Sequence, residues 1–409
     1  MSTDLSFDVV IAGGGLVGLT LGIALAKGGL ETAVVDTLAP EVATGARFDG
    51  RVSAIAYASC RMFEALGMWP HLREHAQPIL DIIVSDGTVE KGASPLFLHF
   101  DHTEIGEPLG HLIENRHTRI AQQAVAQHTA HLTQIAPATV ANLEVHPGYT
   151  RALLRDGRSA KASLCIAADG RGSPLRALMG IKSIGWPCGQ HGIVTTVEHE
   201  RPHQGVAQEY FLPSGPFAIL PMVGNRSSLV WTEREDIAPR MMALSDEDFA
   251  HQVRLRFTDY LGDVRPVGPR WSYPLTLNLA RRYTAPRFVL AGDAAHGVHP
   301  IAGQGFNLGL RDVAALAQVL IEAARLGRDI GAPDVLAEYE KWRRFDNTLM
   351  GLSMDALNVL FSNDIAPLRL ARDVGLAITD RLPPVRRFFM RLAGGDVGAL
   401  PRLLRGEAI

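Results

Sequence analysis

Phe7-Asp-Val-Val-Ile-Ala-Gly-Gly-Gly-Leu-Val-Gly18 decides the fold. Phe7–Ala12 reads as a short buried strand, and Leu16–Lys27 has the pattern of a helix that Gly28-Gly29 stops. Thr32–Val35 is a second strand, and Asp36 ends it, 18 residues after Gly18. A strand, a glycine turn, a helix and a strand make a βαβ unit. Gly13 permits the tight turn, Gly15 lets a phosphate approach the backbone, and Gly18 lets helix and strand pack closely. The helix N-terminus offers free N–H groups and a positive dipole end to an anion. A carboxylate at Asp36 is placed to accept from a ribose diol. The unit is expected to bind a dinucleotide.

Two further glycine turns follow. Cys165-Ile-Ala-Ala-Asp-Gly-Arg-Gly-Ser-Pro-Leu-Arg176 is an apolar strand that stops at Asp169-Gly170. It is either a polar group aimed into a crevice or an ordinary turn with solvated arginines. Val289-Leu-Ala-Gly-Asp-Ala-Ala-His296 leads into His299-Pro-Ile-Ala-Gly-Gln-Gly-Phe-Asn-Leu-Gly-Leu-Arg-Asp312. This segment joins a strand, a Gly-Asp at its end, a proline, a Gly-Gln-Gly turn and a helix N-terminus. Gly303 and Gly305 remove Cβ atoms where a flat ring would come close, and the helix start can stabilise negative charge there.

Between these turns the chain changes character. Residues 40–52 read as irregular, with a helix near Ser59–Leu66 after them. Strands are expected over Ile79–Ser85 and Leu96–Phe100, and a helix over 116–130. From 190 to 275 the pattern is mainly β, with strands at Ile193–Val197, Phe217–Leu220 and Ser228–Thr232. Beyond about 334 it is helical.

The composition sets limits. Hydrophobic residues make up 47% and charged residues 20%, as in a soluble globular protein. A formal net charge of −3 gives no general attraction to nucleic acid. Cys60, Cys165 and Cys188 show no CxxC spacing, which argues against a zinc site or redox dithiol. His296 and His299 lack the carboxylate or cysteine that would complete a metal site, so none is expected. They read as positioning or packing residues, or as acid–base groups. The N-terminus runs at once into an apolar strand, so no signal peptide is expected. No stretch is long and apolar enough to span a bilayer. The segment Arg381-Leu-Pro-Pro-Val-Arg-Arg-Phe-Phe-Met-Arg391 mixes basic and apolar residues. It is either a helical layer on the main domain or a membrane- or partner-binding surface.

Taken in order, the three glycine motifs resemble those of the group A flavoprotein monooxygenases, the para-hydroxybenzoate hydroxylase-like family. The resemblance runs from Asp8 to about Phe345. The His299–Asp312 run is similar to the signature of the ubiquinone-biosynthesis hydroxylases of the UbiH/UbiF type, and Phe48-Asp-Gly-Arg51 and Ser228-Leu-Val-Trp231 look most like the UbiH branch. The resemblance implies an α/β fold: a Rossmann-like FAD-binding domain of the GR2 type, an inserted β-rich substrate domain and a helical C-terminal segment. On that basis residues 1–75, 113–180 and 276–335 form the FAD-binding part, 76–112 and 181–275 the substrate part, and 336–409 the C-terminal segment.

The resemblance also assigns roles. Gly13, Gly15 and Gly18 would hold the FAD pyrophosphate and Asp36 the adenosine ribose, although the family more often has Glu there. Arg51 would touch the flavin, with either Asn115 or Arg116. Asp169 would contact FAD and bear on NAD(P)H use. Gly292-Asp293 would bind the ribityl or diphosphate part. Pro300, Gly303, Gln304, Gly305, Phe306 and Asn307 would surround the isoalloxazine. No protein group is expected to be catalytic. The implied reaction is hydroxylation of a polyprenylphenol on the route to ubiquinone, through a C4a-hydroperoxyflavin formed with O₂ and NAD(P)H. Substrate contacts are expected from Phe211–Phe217 and Leu220-Pro-Met222, unless these are core strands. The alternatives are a hydroxylase of a small soluble aromatic and an FAD-dependent reductase of the same fold. The expected location is the cytoplasm, with room for contact with the inner membrane face or a ubiquinone-biosynthesis complex; oligomerisation is left open.

Overall fold

The computed structural model describes residues 5–45, 48–89, 92–257, 259–363 and 365–409. Leu5–Ala12 is the central strand of the first sheet. It pairs in parallel with Thr32–Val35 on one side and Ser159–Ala167 on the other. Leu132–Ile135 extends the first side and Phe288–Leu290 the second, again in parallel. Val9, Val10 and Ile11 are fully buried, which explains the unbroken apolar run. The order of connection reverses at the central strand. Ligands of such open sheets sit beyond the carboxyl ends of the strands at that reversal.

The register sets those ends side by side. Ala12 faces Val35 and Ala167, and Ala167 faces Leu290. Gly13, Asp36, Asp169 and Gly292, each just beyond one of these four strands, therefore share one edge. Residues far apart in sequence become neighbours through pairing alone.

A second, mostly antiparallel sheet holds the long strands Ser183–His199 and Val264–Ala280 with Arg226–Arg234, Gly215–Met222 and Val206–Leu212. Asp81–Thr88 and Gly92–Asp101 complete that edge. Alternation divides its faces. Phe217, Ile219, Leu229 and Trp231 point into a core with Phe249 and Val253 of the helix Asp246–Phe257. Their neighbours Ala218, Leu220, Val230 and Thr232 face the other way, toward the first sheet's open edge.

Several expectations are corrected by the pairing. The strand expected over Ile79–Ser85 is two strands in different sheets. Ala76–Ile79 joins Val52–Ala56 and Gly110–Glu114, whereas Asp81–Thr88 joins the large sheet. Leu80 marks the change, its N–H donating to the Gly205 carbonyl at 2.9 Å. Val52–Ala56 begins at the end of a stretch read as irregular. Leu132–Ile135 and Val140–Val145 carry too many polar residues to stand out. The region read as mainly β includes two helices, Ala238–Met242 and Asp246–Phe257. Strand Val264–Ala280 runs through the expected division at 275, and His296–Gly297 adds an edge to it.

The helix Gln304–Arg325 crosses the first sheet and packs on Leu16–Lys27. The contact is close because Gly309 and Gly292 leave room for Val17; a Cβ on Gly309 would stand 2.7 Å from Val17 Cγ2. Three helices, Pro333–Phe361, Ala366–Asp380 and Pro383–Gly394, follow.

Candidate functional site

One cavity of about 810 Å³ lies between the open edge of the first sheet and the second sheet. Its floor is mostly backbone. Gly15, the N-cap of helix Leu16–Lys27, borders it with extended φ and ψ of −67° and −170°. A Cβ built on Gly15 meets nothing within 4 Å. Gly305 is likewise open. Gly13 and Gly18 differ: their Cβ atoms would fall 2.3 Å from the Ala168 carbonyl oxygen and 1.8 Å from the Gly13 carbonyl oxygen. They allow the turn to exist, and Gly15 leaves space beside it. Helices Leu16–Lys27 and Gln304–Arg325 each turn a first turn of unpaired N–H groups toward this space.

The carboxylates expected here take different positions. Asp36 closes the glycine turn, accepting from the Gly14 N–H at 2.5 Å and the Leu38 N–H at 2.7 Å. It does not line the cavity, and each oxygen keeps one lone pair. Asp293 lines the cavity, is exposed, and has no hydrogen bond to protein among the described residues. Asp169 stands behind the lining residues Ala168 and Gly170; its Oδ2 accepts from the Leu175 N–H at 3.3 Å, and its buried Oδ1 has no partner among the described residues. Arg176, read as either crevice-facing or solvated, spans two turns, donating to Ala294 O at 2.7 Å and Arg171 O at 3.0 Å.

On the opposite wall Asn115 and Arg116 point in different directions. Asn115 borders the cavity and accepts from the Ser53 hydroxyl at 2.7 Å. Arg116 is turned to Glu114, with its guanidinium 5.7 Å from the Phe48 ring centroid. Arg51 borders the cavity but is half-exposed and held to Asp49. Pro300, Gly303, Gln304, Gly305, Phe306 and Asn307 all line it. Gly303 has φ +62°, a left-handed conformation that favours glycine. The side chain of Asn307 is fully used: it accepts from the Ala56 N–H and Ser59 hydroxyl and donates to Ala54 O and Gly303 O. Only its backbone remains for a ligand.

The roof is side chain rather than backbone. Ile82, Val84, Phe100, Ala218, Leu220 and Val230 cover it. Ser228 and Thr232 lie among them, each with a buried hydroxyl that has no hydrogen-bond partner among the described residues. Tyr273 closes one side, and burial pushes its hydroxyl pKa up. Met390, Ala393 and Gly394 of the last long helix complete the wall. Of the expected substrate stretches, Pro216 and Leu220 reach the cavity. Phe217 is a core residue, Phe211 packs at a tilt against Phe361, and Met222 lies outside. The Asp81–Asp101 hairpin falls within residues 76–112, expected as part of the substrate domain, although the sequence does not single out its lining residues. The C-terminal wall reads in the sequence only as a helical layer or an outer binding surface.

Behind the floor lies a fully buried polar cluster. Asp312 accepts from the Gly292 N–H at 3.0 Å, Arg343 Nε at 2.9 Å and Asn347 Nδ2 at 2.9 Å, and meets His296 Nε2 at 2.6 Å. Burial alone would raise its pKa, but His296, Arg343 and Asn347 prevail and hold it down at about 2. His299 is also buried, with neither ring nitrogen partnered among the described residues, and burial lowers its pKa to about 4. Neither His296 nor His299 lines the cavity.

The donor set suits FAD: open glycines and free N–H groups for a pyrophosphate, an unpaired carboxylate for a polyol, and a left-handed glycine beside a proline for a flat ring. The FAD binding domain family model matches residues 6–346. The chain belongs to this family. Within it, the chain is 51% identical to the ubiquinone hydroxylase UbiL of Rhodospirillum rubrum, over 99% of this chain and 94% of that protein. It is 33% identical to the 3-demethoxyubiquinol 3-hydroxylase of Escherichia coli, over 96% of this chain and all of that one. The crystal structure of p-nitrophenol 4-monooxygenase PnpA from Pseudomonas putida DLL-E4 superposes with a TM-score of 0.78 at 19% identity, covering 96% of this chain and 100% of that one, and shares the fold. The resemblance drawn from the three glycine motifs is borne out, as is the expected fold class.

Proposed function

We propose that this chain is an FAD-dependent monooxygenase that hydroxylates the aromatic ring of a polyprenylphenol in ubiquinone biosynthesis, with O₂ and NAD(P)H as co-substrates. One observation carries the reading: a single cavity joins a floor of glycines and helix N-termini to an apolar roof. The names of the ubiquinone hydroxylases it resembles support it.

In this reading Gly15 would seat the pyrophosphate in the turn that Gly13 and Gly18 make possible, and Asp36 would add a ribose contact through its spare lone pairs. Asp169 and Asp293 hold the middle of the cofactor. Arg51 and Asn115 approach the flavin from one wall, and Pro300 and Gly303–Asn307 from the other. FAD, when bound, supplies the redox and oxygen chemistry. The protein's share is placement, charge and dryness. The helix N-terminus at Gln304 would stabilise negative charge on a flavin held there. Ile82, Val84, Ala218 and Val230 keep water from the reacting face. No side chain is assigned an acid–base role. The division between cofactor and substrate parts follows the two sheets, except that strand Val264–Ala280 and the strand His296–Gly297 tie them together. The reading includes work in the cytoplasm at the inner face of a membrane, alone or with other biosynthetic enzymes.

The test is a deletion strain grown in air. It should lose ubiquinone and accumulate a prenylphenol lacking one ring hydroxyl, both restored by the gene. Unchanged ubiquinone with no such intermediate, in a strain without a substituting paralogue, would reject this substrate.

A further inference from the structure

Helix Ala366–Asp380 carries apolar residues on its outer side as well as its inner one. Its inner side carries Arg372, whose guanidinium meets Asp86 at 2.6 and 2.9 Å with both side chains almost wholly buried. Its outer side carries Leu368, Ala371, Val374 and Ile378, exposed at helical spacing. Leu382 continues the line into the next helix, where Val385, Phe388 and Phe389 are exposed, Phe388 by 51%. Leu376 is buried on the inner side with Leu98, Phe211 and Phe361, so the helix is apolar on both sides and the outer row is left without a partner among the described residues. Apolar patches of this kind mark interaction surfaces.

We propose that this face, formed by helices Ala366–Asp380 and Pro383–Gly394, docks on an anionic lipid bilayer, with the cavity directly behind it. Two observations select the bilayer. The first is charge. Residues 381–391 hold four arginines and no acid, in a chain of net charge −3. Arg381 and Arg387 are exposed and have no acidic partner among the described residues. Anionic headgroups answer such a fringe. A second copy answers it less well: a two-fold contact brings the same patch to itself, and residues 381–391 hold no acid to meet an arginine.

The second observation is continuity. The helix that shows Phe388 and Phe389 to the outside lines the cavity with Met390, Ala393 and Gly394. Met390 packs with Ile79, Leu109 and Ala207, beside Phe100 and Leu220 of the roof. One helix, roughly 10 Å across, separates the outer patch from the cavity; Met390 is on its cavity side and Phe388 and Phe389 are on its outer side, while Arg386 pairs with Glu104 and Asp380. A hydrocarbon tail attached to a ring in the cavity would leave past Met390, through the wall that this helix forms. That route rests on the proposed polyprenylphenol substrate; the docking does not. Among the described residues no helix is long and apolar enough to cross a membrane, so the contact is an interfacial one.

The test is flotation of the FAD-loaded protein with vesicles of phosphatidylcholine, with and without about one third phosphatidylglycerol. The protein should float with the anionic vesicles, and about 0.5 M salt should reduce the bound fraction severalfold. Phe388→Ser with Phe389→Ser should lower it at least tenfold, and Arg387→Glu severalfold at low salt. Both variants should keep the wild-type FAD content and visible spectrum, since none of these side chains reaches the cavity. Failure to float, or flotation unchanged in the double variant, overturns the proposal. So does a stable dimer in sedimentation that the double variant dissociates. If the deletion strain keeps its ubiquinone while the protein still floats, the substrate reading fails and the docking stands.

Discussion

The floor and the roof of the cavity are built on opposite principles. The floor takes its shape from residues that lack something: glycines without a Cβ, a proline without an N–H, helix ends without partners. The roof takes its shape from ordinary side chains on alternate positions of antiparallel strands. A floor of backbone is rigid and makes the same contacts whatever its neighbours. A roof of side chains is adjustable, since each position changes by substitution without disturbing the ladder. A common cofactor beneath a changing substrate calls for that division. It also implies that floor substitutions divide sharply between loss of fold and loss of cofactor, whereas roof substitutions are graded.

The largest effect should come from behind the floor. Asp312→Ala leaves the buried Arg343 with only the partly exposed Asp346 as counter-charge, and removes the acceptor of the Gly292 N–H. Stranding a buried charge costs about 3–5 kcal/mol, so the apoprotein should lose that much in urea unfolding. Acid should act on the same group. Asp312 has a folded pKa of about 2, below the ~3.9 of an unfolded aspartate. Its contribution is complete above about pH 4 and is lost as pH falls toward 2, amounting to roughly 2–3 kcal/mol. A flat wild-type stability profile across that window, or an alanine variant as stable as wild type, would separate this aspartate from the floor.

Next comes a pair of substitutions in one turn. Gly18→Ala forces a methyl against the Gly13 carbonyl and should destabilise the fold by about 3 kcal/mol or more. Gly15→Ala meets open space. It should leave the melting temperature of the apoprotein unchanged and reduce FAD uptake at least tenfold, read by absorbance after reconstitution. Equal effects of the two would show that the turn is not divided between architecture and ligand.

Asp293→Ala is the milder relative of Asp312→Ala. Its carboxylate is exposed and holds no protein group among the described residues, so apoprotein stability should not move. Loss of one charge-assisted hydrogen bond, about 1.5–3 kcal/mol, should weaken FAD binding about ten- to hundredfold by titration. Unaltered binding would remove Asp293 from the floor.

The same contrast explains what is legible in the sequence. The floor is written in contiguous, unusual residues at fixed offsets from strand ends, so Gly13–Gly18 and Gly292–Asn307 stand out from the amino-acid pattern alone. What stays hidden there is which neighbour does which task. Asn115 and Arg116 are adjacent, and only the turn of the helix start sends one to the cavity and the other to Glu114. Asn307 falls in the right run, yet its side chain is spent on Ala54, Ala56 and Ser59. The roof draws on residues from Ile79 to Gly394. Val84, Ala218 and Val230 have the same alternation as the core residues beside them, and one face differs from the other only by what lies opposite. Leu80, where one apolar run divides between two sheets, has no local signature at all.

The smallest expected effect tests whether the roof reads more than hydrophobicity. Ser228 and Thr232 place hydroxyls at its inner surface, buried and without partners among the described residues. An unpartnered buried hydroxyl costs stability, so a fold that keeps two on one wall gains nothing from them unless a ligand answers. A phenol bears an oxygen able to do so. Thr232→Val retains the shape and removes the hydroxyl. The apoprotein should be as stable as wild type or slightly more so, because no protein bond is lost. FAD binding should not change, since the floor is untouched. If the hydroxyl meets a ring oxygen of the substrate, KM should rise about fivefold, the weight of one neutral hydrogen bond of ~1 kcal/mol, with kcat little altered. If instead KM stays constant while the variant gains stability, the roof selects by apolar shape alone, and the two walls differ even more than their residues suggest.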